Sequence, residues 1–268
     1  MRIIRFLNDA GETCHGHDEH DGTAELLEGR LLGGKVKPTG KRAVVMKRLA
    51  PVDPRVILCI GLNYRQHAAE TGAAIPQWPV LFMKNPSTAI GPSEAIVLPK
   101  ICMDPPEVDY ECELAVVIGR AAKNVSEAEA LKHVAGYMIA NDVSARLWQK
   151  DRGGSQWCRG KGFDTFCPMG PALVTPDEVP DPQKLQLTTT LNGQVMQDSN
   201  TSDMIFTVAQ LIAFLSSGVT LLPGTVILTG TPSGVGMARS PQVFLQDGDK
   251  LELSITSLGT LVNPIKAE

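Results

Sequence analysis

Short apolar runs separated by glycine and proline constrain the fold of this chain more than any other feature. Four such runs are Val56–Gly61, Val80–Lys84, Leu114–Gly119 and Thr225–Thr229. Runs this short, rich in β-branched residues, are typical of buried strands. The 25 glycines and 19 prolines interrupt the chain too often for a regular alternation of strands and helices. We therefore predict a β-rich α+β fold and not a doubly wound parallel sheet.

A few segments carry helix or hairpin signals. Asn63–Thr71 has helical character and is followed by Gly72, and Ser126 begins a capping-box pattern ahead of a helix that ends near His133. Thr207–Ser217 places its apolar residues on one face, which predicts an amphipathic helix. Leu185–Leu191 alternates polar and apolar residues and runs into Asn-Gly, which predicts a β-hairpin.

The first fifty residues differ in character from the rest. Arg2–Leu7 predicts a strand, and Asn8–Gly22 is polar enough to predict a loop. Leu49–Pro54 contains two prolines and predicts a junction. We therefore predict a small N-terminal domain over residues 1–50 and a larger domain over residues 51–268.

Composition and charge exclude several classes of function. The formal net charge is −4, so neither a general nucleic-acid binder nor a membrane-surface binder is favoured. No apolar stretch is long enough to span a bilayer, and the N-terminus does not have the pattern of a signal peptide. The six cysteines form no C-x-x-C pair, which is typical of reduced thiols. We expect a soluble cytosolic protein.

The most informative polar residues are three carboxylates beside apolar strands. Glu111 and Glu113 flank Cys112 at the start of an apolar run, and on a strand their side chains share one face. Such a pair alone is more often a solvated strand face. Asp142 follows a second apolar strand, and with this third carboxylate a metal site is favoured over a solvated strand face. Three oxygen ligands without His or Cys favour Mg²⁺, then Mn²⁺, with Ca²⁺ as a further alternative.

A histidine and a glutamate are three residues apart in a predicted helix. This spacing would place His67 and Glu70 on one helix face, where the carboxylate fixes the tautomer of the imidazole and raises its basicity. Such a pair can remove a proton from water or from a carbon acid. The alternative is an ordinary polar pair on the surface, which is the commoner case for a random helix.

Together with these residues, several further blocks resemble the fumarylacetoacetate hydrolase family. The resemblance runs from about Val56 to Ile265. The order and variety of the blocks make it specific, and they are His67-Ala-Ala-Glu70, Glu111-x-Glu113, Asn141-Asp142-Val-Ser-Ala-Arg146, Lys161-x-Phe163-Asp164-Thr165-Phe166, Ser202-x-Met204-Ile205-Phe206 and Leu228-Thr229-Gly230-Thr231-Pro232-x-Gly234-Val235-Gly236.

The resemblance implies a mixed β-sandwich roll, a homodimer and one divalent metal ion per subunit. It implies that the ion is held by Glu111, Glu113 and Asp142, with His67 and Glu70 as the base dyad. Lys161 matches a lysine that can stabilise a developing oxyanion. The remaining matches are to residues that contact or orient a 2-oxo acid, namely Lys84, Arg146, Gln149 and Thr231.

Two positions depart from the family pattern. Leu147 stands where an aspartate is expected, which would weaken a charge contact near Arg146. Gly162 stands where serine or threonine is usual, which would change the stiffness of the loop beside Lys161. We expect both departures to affect the reaction rate and the substrate preference more than the class of reaction.

The resemblance implies an enzyme for small 2-oxo or diketo acids. Our leading prediction is hydrolysis of a C–C bond in an acylpyruvate, through an enolate stabilised at the metal. The first alternative is tautomerisation, isomerisation or decarboxylation at the same site, of oxaloacetate or 2-hydroxyhepta-2,4-diene-1,7-dioate for example. The second alternative is a non-catalytic metal-binding module, which would have no need of the His67–Glu70 pair.

Overall fold

The computed structural model describes all 268 residues, and strands dominate it. In chain order the strands are β1 Arg2–Leu7, β2 Thr13–His20, β3 Thr23–Gly29, β4 Val36–Val44, β5 Lys47–Leu49, β6 Val56–Gly61, β7 Val80–Lys84, β8 Ala89–Ile90, β9 Ile96–Leu98, β10 Val108–Asp109, β11 Cys112–Ile118, β12 Val134–Asn141, β13 Ser144–Ala145, β14 Cys167–Val174, β15 Gln186–Leu191, β16 Gln194–Asn200, β17 Thr225–Leu228, β18 Lys250–Ile255 and β19 Gly259–Ala267.

The helices are few and short. They are α1 Arg65–Glu70, α2 Glu127–Ala130, α3 Arg146–Gln149, α4 Cys158–Lys161 and α5 Val208–Ser216. Single 3₁₀ turns lie at Pro86–Thr88, Lys100–Cys102, Leu131–His133, Pro176–Glu178, Thr201–Asp203 and Gly236–Ala238. The prediction of a β-rich α+β fold is confirmed. None of these helices has the length and apolar character needed to traverse a bilayer.

The strands form three sheets. A twelve-stranded sheet follows the order β4-β3-β2-β1-β14-β12-β11-β17-β6-β7, with β5 paired to β1 and β8 paired to β14. A five-stranded sheet has the order β16-β15-β18-β19-β9, and β10 pairs with β13. Most pairs are antiparallel, but β17 and β6 run parallel.

Strand β11 lies at the centre of the large sheet and is buried on both faces. Leu114 and Val116 belong to the larger apolar core, which also contains Leu253 of the five-stranded sheet. Ala115 and Val117 belong to a second core on the opposite face. A strand covered on both sides has a continuous apolar run instead of an alternating pattern, and residues 114–118 have that run.

Helix α5 confirms the predicted amphipathic helix. Its N-cap Thr207 accepts a hydrogen bond from the Gln210 backbone N–H, and the Gln210 side chain accepts one from the Thr207 N–H, which is a capping box. The capping box predicted at Ser126 is wrong. Ser126 does precede α2, but its side chain makes no capping hydrogen bond, and the helix tightens into a 3₁₀ turn after one turn.

The hairpin predicted at Asn192 and Gly193 is present between β15 and β16. Both residues have positive φ, 52° and 83°, as the mirror-image hairpin turns require.

The polar segment at residues 8–22 is not a loop throughout, so that prediction is wrong. It contains β2, which pairs with β1 on one side and β3 on the other. A strand rich in His, Asp and Glu lacks the apolar alternation that identifies strands in a sequence, and its neighbours determine its conformation. Because β1 also pairs with β14, the N-terminal strands extend the large sheet. The domain boundary near residue 50 stays a prediction.

Candidate active site

The antiparallel register of β11 and β12 brings the three predicted carboxylates together. Cys112 is paired with Asn141, so Glu111 and Asp142 meet just beyond the paired residues, where the Asp142 N–H donates to the Glu111 carbonyl at 2.9 Å. One carboxylate oxygen from each of Glu111, Glu113 and Asp142 lies within 4.8 Å of the others. All three side chains are buried.

Cationic side chains bind two members of this cluster, Glu111 and Asp142. Lys161 donates from its ammonium to Glu111 Oε2 at 2.7 Å and to Asp142 Oδ2 at 2.8 Å. Arg146 donates to Glu111 Oε1 at 2.6 Å. Burial alone would raise the pKa of Glu111, but Lys161 and Arg146 outweigh it and lower that pKa to about 2.

Lys161 stays positively charged in this setting. Burial alone would lower its pKa, but attraction to Asp142 and Glu111 raises it above the ordinary lysine value. Lys161 thus supplies a hydrogen-bond donor and a positive charge to Glu111 and Asp142.

Glu113 is the carboxylate that most needs a further cation. It forms no ion pair, and its Oε2 accepts a single hydrogen bond, from the Gly230 N–H at 2.6 Å. Burial first, then repulsion from Asp142 and Glu111, raises the pKa of Glu113 well above its usual range. A nearby divalent cation would lower the pKa of Glu113 again, because it would stabilise the ionised carboxylate.

The donor set fits a hard divalent cation. Asp142 Oδ1 is buried and accepts no hydrogen bond, although the Lys84 ammonium lies 2.7 Å away as an ion pair. Asp109, Glu111, Glu113 and Asp142 supply four buried carboxylates, against three buried cations, Lys84, Arg146 and Lys161. Oxygen ligands with surplus negative charge are what Mg²⁺, Mn²⁺ and Ca²⁺ prefer.

The predicted base dyad forms beside this cluster. His67 Nδ1 lies 2.7 Å from Glu70 Oε1 in α1. Glu70 is itself fixed, because both of its carboxylate oxygens accept from the Gly234 N–H, at 3.1 and 2.9 Å. With Nδ1 engaged as a donor to Glu70, Nε2 is the ring nitrogen that can exchange a proton with a substrate.

One cavity of about 260 Å³ connects His67 with Glu111 and Glu113. The predicted residues that line it are His67, Glu111, Glu113, Arg146, Gln149, Lys161 and Thr231. Apolar walls come from Ile60, Phe82, Trp157 and Met237. This volume fits a small organic acid.

Two predicted substrate residues have other contacts in the structure. The Thr231 hydroxyl donates to the Cys112 carbonyl at 3.1 Å and accepts from Gln197 Nε2 at 2.9 Å. Lys84 is buried and does not line the cavity; it donates to the carbonyls of Val143 and Lys161. Gln149 lines the cavity and accepts from Arg146 at 3.1 Å.

Comparison with known proteins agrees with this geometry. The profile of the family described as "Fumarylacetoacetate (FAA) hydrolase C-terminal" matches residues 56–266. The chain belongs to this family.

Curated members of the family are identical to this chain at about half of the aligned positions. Bos taurus "Oxaloacetate tautomerase FAHD2A, mitochondrial" is 49% identical over 218 residues, which cover 81% of this chain and 68% of the relative. A Dictyostelium discoideum "Fumarylacetoacetate hydrolase domain-containing protein 2 homolog" is 49% identical over 226 residues, covering 81% and 73%.

Solved structures of the family match the whole chain. A 5-carboxymethyl-2-hydroxymuconate delta-isomerase from Mycobacterium smegmatis is 38% identical with a TM-score of 0.86, and the match covers 100% of both chains. A fumarylacetoacetate hydrolase from Exiguobacterium antarcticum is 36% identical with a TM-score of 0.84, again over 100% of both chains. The predicted family fold is confirmed.

Sequence reasoning missed two buried residues that support the site. Asp109 Oδ2 accepts from Arg146 Nε at 2.9 Å and Nη2 at 2.7 Å. Gln197 accepts from the Cys112 N–H at 3.0 Å and donates to Thr231. Asp109 lies two residues before Glu111, so its place in the same acidic segment was the available signal. Nothing local in the sequence of β16 identifies Gln197.

The structure shows the surroundings of the two positions that depart from the family pattern. At Leu147 the backbone N–H donates to Glu107, and the charge contact of the neighbouring Arg146 is supplied by Asp109. Gly162 ends α4, and a Cβ added there would lie 2.8 Å from the Cys158 carbonyl oxygen. A larger residue at this position therefore requires the backbone before Lys161 to shift.

Proposed function

We propose that this chain is a divalent-metal-dependent tautomerase or isomerase of small 2-oxo acids, with keto–enol interconversion of oxaloacetate as the type reaction. The observation that carries the proposal is His67, which is held by Glu70 and lines the same cavity of about 260 Å³ as Glu111 and Glu113. The names of the 49%-identical relative and of the solved isomerase favour proton transfer over our leading sequence prediction of hydrolysis.

Keto–enol interconversion needs one proton moved between carbon and oxygen, and the residues of the cavity suit that task. Nε2 of His67 removes the proton from the carbon next to the keto group, while Glu70 holds the ring and stabilises the imidazolium. The Lys161 ammonium lies on the Glu111 and Asp142 side, where it favours negative charge on the substrate oxygen. In the enol-forming direction His67 then gives this proton to the keto oxygen; in the ketone-forming direction the enol oxygen loses its proton to His67 and the carbon receives it.

Glu111, Glu113 and Asp142 would hold the metal ion in this proposal. When bound, the ion supplies polarisation of the keto group and a site for the adjacent carboxylate. We propose Mg²⁺ as the resident ion because all three ligands are carboxylates, with Mn²⁺ and Ca²⁺ as alternatives. Calorimetric titration of the metal-free protein with each ion tests this assignment.

The decisive experiment follows enol-to-ketone conversion of oxaloacetate by absorbance, with Mg²⁺ and with chelator. His67→Ala should lower kcat/KM by roughly 10²- to 10⁴-fold while leaving Mg²⁺ affinity intact. His133→Ala is the matched control, since His133 is half-buried and lies outside the cavity. Turnover that chelator leaves unaffected, or that His67→Ala leaves undiminished, contradicts the proposal.

Hydrolysis of acylpyruvates is the second candidate. The same dyad could activate water instead of a carbon acid, and a solved fumarylacetoacetate hydrolase is 36% identical to this chain. Release of pyruvate from a panel of acylpyruvates, measured beside tautomerisation, separates the two candidates. Metal binding without either activity would instead indicate a non-catalytic module.

Assembly and location remain predictions. We propose a homodimer, which light scattering after gel filtration tests. We retain the cytosolic location as a proposal, and imaging of a tagged chain tests it, because the Bos taurus relative carries the word mitochondrial in its name. Neither nucleic acid nor a membrane is expected as a partner, given the net charge of −4.

A further inference from the structure

The cationic side chains that line the cavity differ in whether a carboxylate of the protein already neutralises them. Lys161 pairs with Glu111 and Asp142, and Arg146 pairs with Asp109 and Glu111. His67 is held by Glu70. Lys150 lines the same cavity, is exposed, and forms no ion pair. Its ammonium is therefore the one cavity charge that a substrate can claim without breaking a contact within the protein.

The position of Lys150 is set by the short helix α3. Its backbone N–H donates to the Arg146 carbonyl at 3.2 Å, which closes the helical turn that presents Arg146 and Gln149 to the cavity. Lys150 follows directly at the end of this turn. The cavity lining thus includes exposed Lys150 as well as buried Glu111 and Glu113.

We propose that Lys150 binds the distal carboxylate of a dicarboxylic 2-oxo acid and thereby selects such substrates. This inference rests on the proposed function and names the substrate class of that site. In this arrangement the keto oxygen and the carboxylate next to it bind at the metal end of the cavity, where Glu111 and Glu113 lie. The second carboxylate then needs a cation elsewhere in the cavity, and Lys150 is the lining cation that lacks a partner.

The lining of a neighbouring cavity limits the possible positions of the distal carboxylate. That cavity shares Arg146, Lys150 and Met237 with the first one, but its lining also contains Glu107 and Asp151. These carboxylates would repel a substrate carboxylate placed among them. The distal carboxylate is therefore assigned to the first cavity, whose lining contains Lys150 together with Gln149 and Arg146.

The test compares ligands that differ only at the distal group. Oxaloacetate and its 4-methyl ester form one pair of substrates, and malate and 2-hydroxybutyrate form a pair of unreactive ligands. Lys150→Met should lower kcat/KM for oxaloacetate roughly 10-fold, mostly through KM, and weaken malate binding to a similar degree. It should leave the ester and 2-hydroxybutyrate unchanged. Lys150→Arg should retain the preference for the diacids.

Lys184→Met is the matched control, because Lys184 pairs with Asp181 on the surface outside the cavity. Oxalate inhibition should be the same in wild type and Lys150→Met, which shows that the metal end is intact. Equal malate affinity in wild type and Lys150→Met overturns the inference. If no variant turns over either substrate, yet Lys150→Met weakens malate binding, the proposed function fails while the role of Lys150 stands.

Discussion

Lys84 donates a hydrogen bond from its ammonium to the backbone carbonyl of Lys161 across 2.6 Å. The same ammonium lies 2.7 Å from Asp142 Oδ1 and donates to the Val143 carbonyl at 3.0 Å. Lys84 therefore connects the end of β12 to the end of α4. Through these contacts Lys84 holds Lys161 and Asp142 in place.

Replacing Lys84 with methionine should destabilise the fold and the site together. The substitution leaves Asp142 buried with one cation instead of two, and breaking a buried pair in this way costs about 3–5 kcal/mol. Urea unfolding of the metal-free protein measures this loss. Lys184→Met, at an exposed ion pair, should cost less than about 1 kcal/mol. A Lys84→Met protein as stable as wild type would show that the contact has little structural weight.

Glu113→Gln should separate metal affinity from stability. Without metal, Glu113 is a buried carboxylate with no ion pair and a raised pKa, so a neutral amide should keep or increase the free energy of unfolding. The same change removes a ligand, and we expect Mg²⁺ affinity to fall by more than about 100-fold, since even outer-shell changes cost 10- to 100-fold. Denaturant unfolding and calorimetry measure the two effects.

The control for Glu113 is Glu127→Gln on the exposed face of α2, which should change neither quantity. Undiminished Mg²⁺ binding by Glu113→Gln would exclude Glu113 from the ligand set.

Much of this site could be predicted from local sequence. The buried strands β6, β7, β11 and β17 follow from their apolar runs, because burial on both faces requires such runs. The Asn192-Gly193 hairpin follows from the positive φ that its turn demands. Glu111, Glu113 and Asp142 stand out because carboxylates beside apolar strands need a reason to be there.

The rest depends on contacts between distant segments. Only the register of β11 with β12 decides that Asp142 meets Glu111, and sequence alone does not specify that register. Lys84 and Asp109 acquire their roles from residues 77 and 37 positions away, Lys161 and Arg146. The sequence also predicted a loop where strand β2 lies. Pairing with β1 and β3 imposes the strand conformation there, and the polar residues of β2 do not suggest it.

Asp109→Asn should weaken the site through Arg146. Asp109 Oδ2 accepts two hydrogen bonds from the guanidinium, and without its charge Glu111 would be the one carboxylate left to pair with Arg146. A guanidinium competing for Glu111 lowers metal affinity, and we expect a loss of about 10- to 100-fold. Asp151→Asn, at an exposed position, is the control. Equal Mg²⁺ dissociation constants for Asp109→Asn and wild type would rule out this coupling.

Gly61 and Trp157 form a close contact at the wall of the cavity, and Gly61→Ala should disturb it. A Cβ at position 61 would lie 2.2 Å from Trp157 Cζ3, so the indole must move. Trp157 also packs edge-on against Phe82, with ring centroids 5.4 Å apart, and this contact limits where the indole can go.

We expect Gly61→Ala to cost about 1–3 kcal/mol of stability, as overpacking does in well-packed regions, and to lower kcat/KM by narrowing the cavity. Because the clash involves one side chain, adding Trp157→Leu should relieve it, and the double variant should be more stable than the sum of the two single changes predicts. Unfolding of all four proteins measures that coupling. Strictly additive losses would mean that the alanine strains the backbone of β6 and not the indole.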